Sequence, residues 1–427
     1  MRIVLLHAPL FRAHWRREHD VVACGPHADC DRPLPLAPIR LGDLLADLPW
    51  TPDLLVVADD GQPLTVLGLE EAPCPVALVA VATHQHEHWQ APLGAACEAV
   101  FVAQQDSLAT FADAGAGHAT WLPCWAPDTL PAPTLVRALD ATFVGTLDAA
   151  THPTRAPFLA AVAERVPLVV GGGERLAGYA ASRTVLNHTE SQALNFRVFE
   201  AMACGAALVT ERAANGLGDL FTDGTHCLTY PPGGVASAVA AIRGLLADDR
   251  RRLRLADAGR AAVLAAHCAR HRAATVLDGA SAAAPRGDRH TTLARAWCQL
   301  AESVRPGAET VPALRVLERA YLAEAERLAQ TAYVREPDRS GILGAVALAR
   351  GEIVRAVERL EWAAHNGGAP VDHVACIEAL VHAGELSRAV RTADALWFRH
   401  PDADVPAPLR AAMLALAQAT GAGPGQA

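Results

Sequence analysis

Between Ser182 and Tyr230 the order of residue types leaves little freedom in what the chain folds into. A short apolar run, Thr184-Val-Leu-Asn187, reads as a strand and gives way to a polar loop, His188 to Ala193. Then comes Asn195-Phe-Arg-Val-Phe-Glu-Ala-Met-Ala-Cys-Gly205, in which Phe196, Val198, Phe199, Ala201 and Met202 supply the apolar residues of a buried helix. Gly205 stands where a helix takes its left-handed terminating residue, and Ala207-Leu-Val-Thr210 resumes as a strand. A strand, a loop and a helix N-terminus gather unpaired N–H groups at the positive end of the helix dipole, which suits an anion such as a phosphate. Arg197 adds a cation there, and Glu200, one turn on, can accept from a pair of ribose hydroxyls. The unit reads as a nucleotide-diphosphate pocket with Asn195, Arg197 and Glu200 as its binding residues. The plainer alternative is a buried βαβ unit of some other doubly wound protein, with Asn195 as an N-cap.

The segment resembles the C-terminal half of GT-B glycosyltransferases, most closely the CgeB-like (spore maturation protein) group, whose pattern is N-x-R-x-F-E-A-x-A-C-G-A. In the wider retaining GT-B families the acid opening E-A-M-A-C-G is the second of an E-x7-E pair and holds the ribose of a nucleotide sugar; Glu200 matches it. The first acid falls at Gln192, so that half is missing, and Glu190 lies two residues too early. Asn187 and Glu190 belong to the loop that would embrace the donor. Gly145, in Phe143-Val-Gly-Thr146, closes a strand where a glycine lets backbone approach a phosphate, and Arg155 or Arg183 are candidates to reach the diphosphate. Further matches, Gly216-Leu-Gly-Asp-Leu-Phe221 and Thr229-Tyr-Pro231, extend the resemblance over roughly residues 75 to 278.

A chain of 427 residues exceeds one ordinary domain, and its apolar half is ample for more than one core. Residues 1–128 read as an N-terminal Rossmann-like domain on the acceptor side. Its strands Ile3–His7, Val21–Cys24, Leu54–Ala58, Val76–Val81, Val100–Ala103 and Thr120–Leu122 are mostly continuous apolar runs, as in a parallel sheet covered on both faces. Residues 129–279 read as a second Rossmann-like, nucleotide-sugar-binding domain, ending in helices Val235–Leu246 and Leu253–Leu277. Ala280 to Asp288 is small, polar and Pro-containing, which marks a linker. The fold class expected is therefore α/β, a GT-B architecture of two Rossmann-like domains followed by an all-α region.

That last region, residues 289–427, carries a repeat: Gly351-Glu-Ile-Val-Arg-Ala-Val357 returns as Gly384-Glu-Leu-Ser-Arg-Ala-Val390, 33 residues on. A helix–turn–helix at this period is the tetratricopeptide (TPR) signature, with a degenerate copy near Trp297–Leu328; a plain helical bundle is the alternative.

The net charge of −9 comes with 37 basic residues, every one an arginine, and no basic block, which argues against nucleic acid and anionic membrane as partners. Any cationic clamp must be arginine or backbone N–H. None of the ten cysteines forms a C-x-x-C pair, so buried free thiols are expected. Ile3 to Leu10 is too short for a signal peptide and no run approaches the ~20 apolar residues of a membrane span, pointing to a cytoplasmic protein.

Thr83-His-Gln-His-Glu-His-Trp89 follows a buried strand at its carboxyl end, where α/β enzymes bind ligand. If extended, His84, His86 and His88 share one side, a geometry that suits zinc. The segment also resembles the CgeB-like I-D-x-H-x-H stretch, with the aspartate replaced by Ala82; that places His84 or His86 near donor or acceptor, to orient a hydroxyl or to act as acid or base. Structural histidines are the remaining reading.

The resemblance implies a hexosyltransferase that moves a sugar from a nucleotide-diphosphate donor, a UDP sugar, to an acceptor with retention and without a bound metal or other cofactor. Glu200 would hold the ribose, Arg197 and the helix N-terminus the diphosphate, and His84 and His86 would face the acceptor. The acceptor is a glycan or a protein, one recruited by the helical tail, which could also drive homo-oligomerisation; a bacterial surface protein is one case. Alternatives are a nucleotide-sugar epimerase or phosphorylase on the same fold, and a catalytically inactive scaffold.

Overall fold

The short apolar runs of the first 122 residues form one seven-stranded sheet in the computed structural model, which describes residues 1–411 except 60, 132–136, 150, 151, 172, 173, 190, 191, 284–288, 402, 404, 407, 408 and 410. In spatial order the strands are Arg32–Pro33, Asp20–Gly25, Arg2–His7, Leu54–Ala58, Val76–Ala80, Ala99–Val102 and Thr120–Trp121, and every pairing is parallel. The chain winds outward in both directions from Arg2–His7, so a crevice opens at the carboxyl ends of Arg2–His7 and Leu54–Ala58. Successive side chains of a strand face opposite ways. Ile3, Leu5, Val56 and Val79 accordingly pack with Phe11, Trp15 and Val276, whereas Val4, Leu6, Val57 and Leu78 pack with Trp89, Leu93 and Trp297.

A second parallel sheet has the order Leu168–Gly171, Leu139–Val144, Ser182–Asn187, Ala207–Glu211, Leu228–Tyr230. Its point of reversal lies between Leu139–Val144 and Ser182–Asn187, whose carboxyl ends lead into Gly145 and His188. Two parallel sheets flanked by helices are the α/β arrangement expected. The lobes are joined close to these ends. Gln104 donates through Nε2 to the Leu194 carbonyl at 3.2 Å and accepts from Leu194 N at 2.9 Å. Asn215 makes an equally two-way contact with Asp106, at 3.0 Å each way.

Two local expectations change, the long helix and the histidine cluster, while that of buried free thiols holds. The stretch Leu253–Leu277 is two helices, Asp249–Ala266 and Ala269–Ala282, broken at His267 and Cys268. The second of these leaves the second lobe and covers the first sheet, where Trp15 Nε1 donates to the Ala273 carbonyl at 3.0 Å and Arg272 Nε to that of Pro123 at 2.7 Å. The histidine cluster is not extended: the strand stops at Ala80 and a helix runs from Thr83 to Ala95. The ten cysteines are all free, and all but Cys74 are buried.

The helical region is not a separate appendage at its start. Helices His290–Ala308, Pro312–Ala329 and Asp338–Ala349 share one continuous core with the first sheet, through Leu293, Trp297, Leu300, Leu317, Tyr321 and Ile342. Tyr321 donates to the Leu64 carbonyl, and Arg40 reaches both carboxylate oxygens of Glu324 at 2.9 and 2.8 Å. The 33-residue repeat occupies equivalent places beyond it. Gly351 (φ 75°) ends Asp338–Ala349 before Ile353–His365, and Gly384 (φ 76°) ends Pro370–His382 before Leu386–Arg399. In both, the glycine N–H and the next N–H return to the last helical turn: Gly351 to Leu348 and Glu352 to Ala347, Gly384 to Val381 and Glu385 to Leu380, at 2.8–3.0 Å.

Candidate functional site

The helix Phe196–Ala203 owes its sharp end to Gly205, at φ 73°, where Gly205 N returns to Met202 O at 2.8 Å and Ala206 N to Ala201 O at 3.1 Å. Val198, Phe199, Ala201, Met202 and Ala203 are buried, so the helix cannot rotate. Its N-terminal turn is thereby fixed over the carboxyl ends of Leu139–Val144 and Ser182–Asn187. A cavity of about 460 Å³ lies there between the two lobes, walled on one side by Gly145, Arg155, Arg175, Asn195, Arg197 and Glu200, and on the other by Asp59, Ala82, His84 and Gln104.

Arg197 is built into its wall. Nε donates to the Val144 carbonyl at 2.9 Å, Nη1 to Asn187 Oδ1 at 2.5 Å, and the guanidinium lies 4.3 Å over the ring of Phe143. Gly145 is a glycine because any Cβ there would run into Arg197 Nη2. Asn187 does not line the cavity; its amide is fully buried, donates to Thr210 Oγ1 at 2.9 Å, and accepts from both Arg197 and Asn195. Asn195 lines the cavity but makes no capping bond: its Nδ2 donates to Asn187 at 3.1 Å, and Oδ1 has no partner among the described residues. The N-cap alternative is thus not the role its side chain takes.

Glu200, 3 % exposed, faces the same cavity. Oε1 accepts from Arg175 at 2.7 Å, and Oε2 has no partner among the described residues. Burial pushes its carboxyl above the usual range, against the pull of Arg175 and then Arg197. A buried carboxylate oxygen with no donor, turned to a cavity, is arranged to accept from something bound there. Arg183 is directed elsewhere, to Asp140 and Asp249 at 3.1 Å each. Arg155 is buried at the cavity edge, with Nη1 on the Thr146 carbonyl at 2.8 Å.

Gln192, at the position of the absent first acid, is exposed and sits at φ 54°; its carbonyl accepts from Asn215 at 3.3 Å. Glu190 lies outside the described residues.

On the opposite wall, the helical conformation separates the histidines. His84 lines the cavity, whereas His86 and His88 do not. Burial, then the neighbouring His86 and His152, hold the His84 imidazole below its ordinary value and so neutral. No group of three or more His, Cys, Asp or Glu among the described residues is placed to hold a metal.

Sequence reasoning passed over Asp59 and Arg175. Asp59 is fully buried at the end of Leu54–Ala58 and lines the cavity. Oδ1 accepts from Gly61 N at 2.8 Å; Oδ2 accepts from Gln90 Nε2 and lies 3.4 Å from Ala82 N. A carboxylate from the neighbouring strand therefore reaches the very residue at which the resemblance lacks one. Its signal was an acid at the carboxyl end of an apolar strand. Arg175 carried none, since it follows a glycine run in no recognised pattern.

Residues 155–278 match a protein family described as "Glycosyl transferase-like". Curated protein sequences give no match. Among solved structures, HepE of Anabaena in complex with UDP-glucose is similar at 13 % identity, over 65 % of this chain and 98 % of that one, with a TM-score of 0.47. Sucrose-phosphate synthase of Thermosynechococcus elongatus is similar at 14 % identity over 65 % and 98 %, TM-score 0.45. The pneumococcal O-GlcNAc transferase GtfA, solved with UDP and GlcNAc, is similar at 12 % identity over 53 % and 56 %, TM-score 0.40.

Proposed function

We propose that the protein is a glycosyltransferase that moves a hexosyl group from a UDP sugar to a hydroxyl of a glycan or protein acceptor. The observation that carries this reading is Glu200 Oε2, buried and without a partner among the described residues at a cavity whose wall also holds Arg175, Arg197 and Arg155. A nucleotide supplies what that wall lacks: hydroxyls to donate to the carboxylate, and phosphates to meet the guanidinium groups. The family match covers the same wall.

In the reaction, the acceptor oxygen forms a bond to the anomeric carbon on the same face from which the diphosphate departs, as the bond from that carbon to the diphosphate breaks. Negative charge gathers on the departing UDP, and fixed cations around it stabilise that charge without having to reorganise. His84, kept neutral by its burial, takes the acceptor's proton from the first-lobe side. Retention at the anomeric carbon and independence of a metal belong to this proposal through the resemblance. The helical hairpins from Asp338 to Arg399, read as TPR-like, would recruit the acceptor, and they display Trp362, Trp397 and Phe398 to solvent. That Glu200 and Arg197 face one cleft favours an enzyme over an inactive scaffold.

The test is incubation with UDP-glucose, UDP-N-acetylglucosamine, GDP-mannose and dTDP-glucose while nucleoside diphosphate release is followed. Release from one donor, raised by an acceptor that becomes glycosylated, is expected. Calorimetric titrations that show no heat for any donor would refute the proposal.

A further inference from the structure

The sequence motif points to Arg197 as the cation for the diphosphate, but the hydrogen bonds point to a different arginine. Two of the three guanidinium nitrogens of Arg197 donate to its own wall, to Val144 O and Asn187 Oδ1. Arg155 is 5 % exposed and tied to the Thr146 carbonyl. Arg175 is different on each count. Its side chain is 55 % exposed, it lines the cavity, and its single acceptor among the described residues is Glu200 Oε1, at 2.7 Å from Nη2. Nε and Nη1 have no acceptor among the described residues.

Resting on the nucleotide-sugar reading above, we infer that Arg175 is the residue that directly binds the phosphate oxygens of the nucleoside diphosphate, with Glu200 holding its guanidinium in place. Arginine suits this because its planar fork offers parallel N–H groups that match phosphate geometry. The ion pair also orders the ligand. Arg175 presents donors and Glu200 Oε2 an acceptor side by side, and within one nucleotide the 5′-phosphate and the ribose hydroxyls are joined through a single furanose ring. One paired side-chain unit therefore meets both ends of the ribose 5′-phosphate. Because Glu200 already fixes one nitrogen, less side-chain freedom is lost on binding than a solitary surface arginine would lose. Arg197 then acts as a brace that sets the shape of the wall.

Isothermal titration of the full chain with UDP tests this in a cycle of wild type, Arg175→Ala, Glu200→Gln and the double variant. Losing charge-assisted bonds to phosphate should weaken UDP about 10- to 100-fold in Arg175→Ala. A similar factor should appear when the same change is made in the Glu200→Gln background, since the contact is to the ligand and not through Glu200. Arg175→Lys should recover part of the loss as a point charge. UDP affinity unchanged in Arg175→Ala overturns the inference, as does a loss that disappears in the Glu200→Gln background. Both results leave the glycosyltransferase reading standing; a wild type that binds no nucleoside diphosphate ends that reading and this inference together.

Discussion

Arg197 Nη1 donates to Asn187 Oδ1 at 2.5 Å, so the motif's cation is fixed by a residue at the end of the neighbouring strand. The same oxygen accepts from Asn195, and the same amide donates to Thr210, which makes Asn187 the junction of strand, loop and helix. Asn187→Ala leaves Arg197 and Asn195 without that acceptor in a buried place. Leaving such donors unsatisfied costs about 1–3 kcal/mol each, so the unfolding midpoint in urea should fall measurably and UDP affinity with it. A variant as stable as wild type that binds UDP equally well would show that the junction does not shape the site.

Glu200 should trade stability for function. Its folded-state carboxyl is raised above the unfolded value of 4.5, because burial outweighs the pull of Arg175 and Arg197. The folded chain thus holds that proton more tightly than the unfolded chain does, and ionisation of Glu200 opposes folding at neutral pH. The opposition is relieved as pH falls through the raised value towards 4.5. Glu200→Gln removes the charge, so its melting temperature at pH 7 should equal or exceed that of wild type, with the gap closing on acidification. UDP binding should weaken about 10- to 100-fold, the effect of a lost hydrogen bond to a charged group. Melting curves between pH 4.5 and 7.5 and one calorimetric series check both halves.

Much of this site could be read from the chain because local pattern fixed it. The run from Asn195 to Gly205 encodes its own helix, its buried face and its left-handed stop, and all three are found. What the pattern could not give was direction in space. The loop pattern puts Asn187 among ligand contacts, yet its side chain is turned into protein; the strand-end Gly145 suggests a phosphate approach, yet its missing Cβ makes room for Arg197. Both depend on contacts between separate elements, from strand to helix, beyond any local periodicity. The histidines failed differently. Alternation suggested an extended segment, but the strand had already ended at Ala80, and the helix from Thr83 leaves His84 alone at the cavity. Asp59, a strand away from Ala82 in space and 23 residues away in sequence, shows how a carboxylate can reach the same spot from another element.

His84 should govern the acidic side of the rate profile. Burial and two nearby imidazoles hold it below the ordinary 6.5, so it stays neutral on acidification past the point where a free imidazole would charge. The acidic limb of kcat/KM is therefore expected below pH 6.5. His84→Gln should lower the transfer rate by about 10²- to 10⁴-fold, erase that limb, and leave UDP affinity within about twofold. For stability the sign is the reverse of that for Glu200: the unfolded chain takes up the proton first, so this histidine withdraws stability as pH falls through 6.5 towards its folded value. A variant with wild-type rate and an unchanged acidic limb would remove His84 from the chemistry.

The helical region should divide into an obligatory part and a dispensable one. Trp297, Tyr321, Leu293, Leu300, Leu317 and Ile342 are each at most 1 % exposed and pack on the first sheet's outer helices and strands. Burying a large apolar side chain is worth about 1.5–3 kcal/mol, so these six together contribute on the order of 10 kcal/mol. That rivals the entire stability of an ordinary domain, about 5–15 kcal/mol. A chain cut after Asp288 should therefore be insoluble or unfolded, even though the linker-like composition there suggests a natural place to cut. A second core, with Leu360, Ile377, Leu380 and Leu396, begins at Ala347 and lies mostly beyond the turn at Gly351, joined to the first through Asp338–Ala349 and through Arg295, which donates to both carboxylate oxygens of Asp372 at 2.8 and 2.9 Å. Cutting after Arg350 should yield a folded protein that still binds UDP like the full chain and releases diphosphate from the donor, while losing transfer to any acceptor that the terminal hairpins recruit. Circular dichroism, UDP titration and acceptor glycosylation on the two truncations distinguish these outcomes. A soluble, UDP-binding protein ending at Asp288 would refute the shared core.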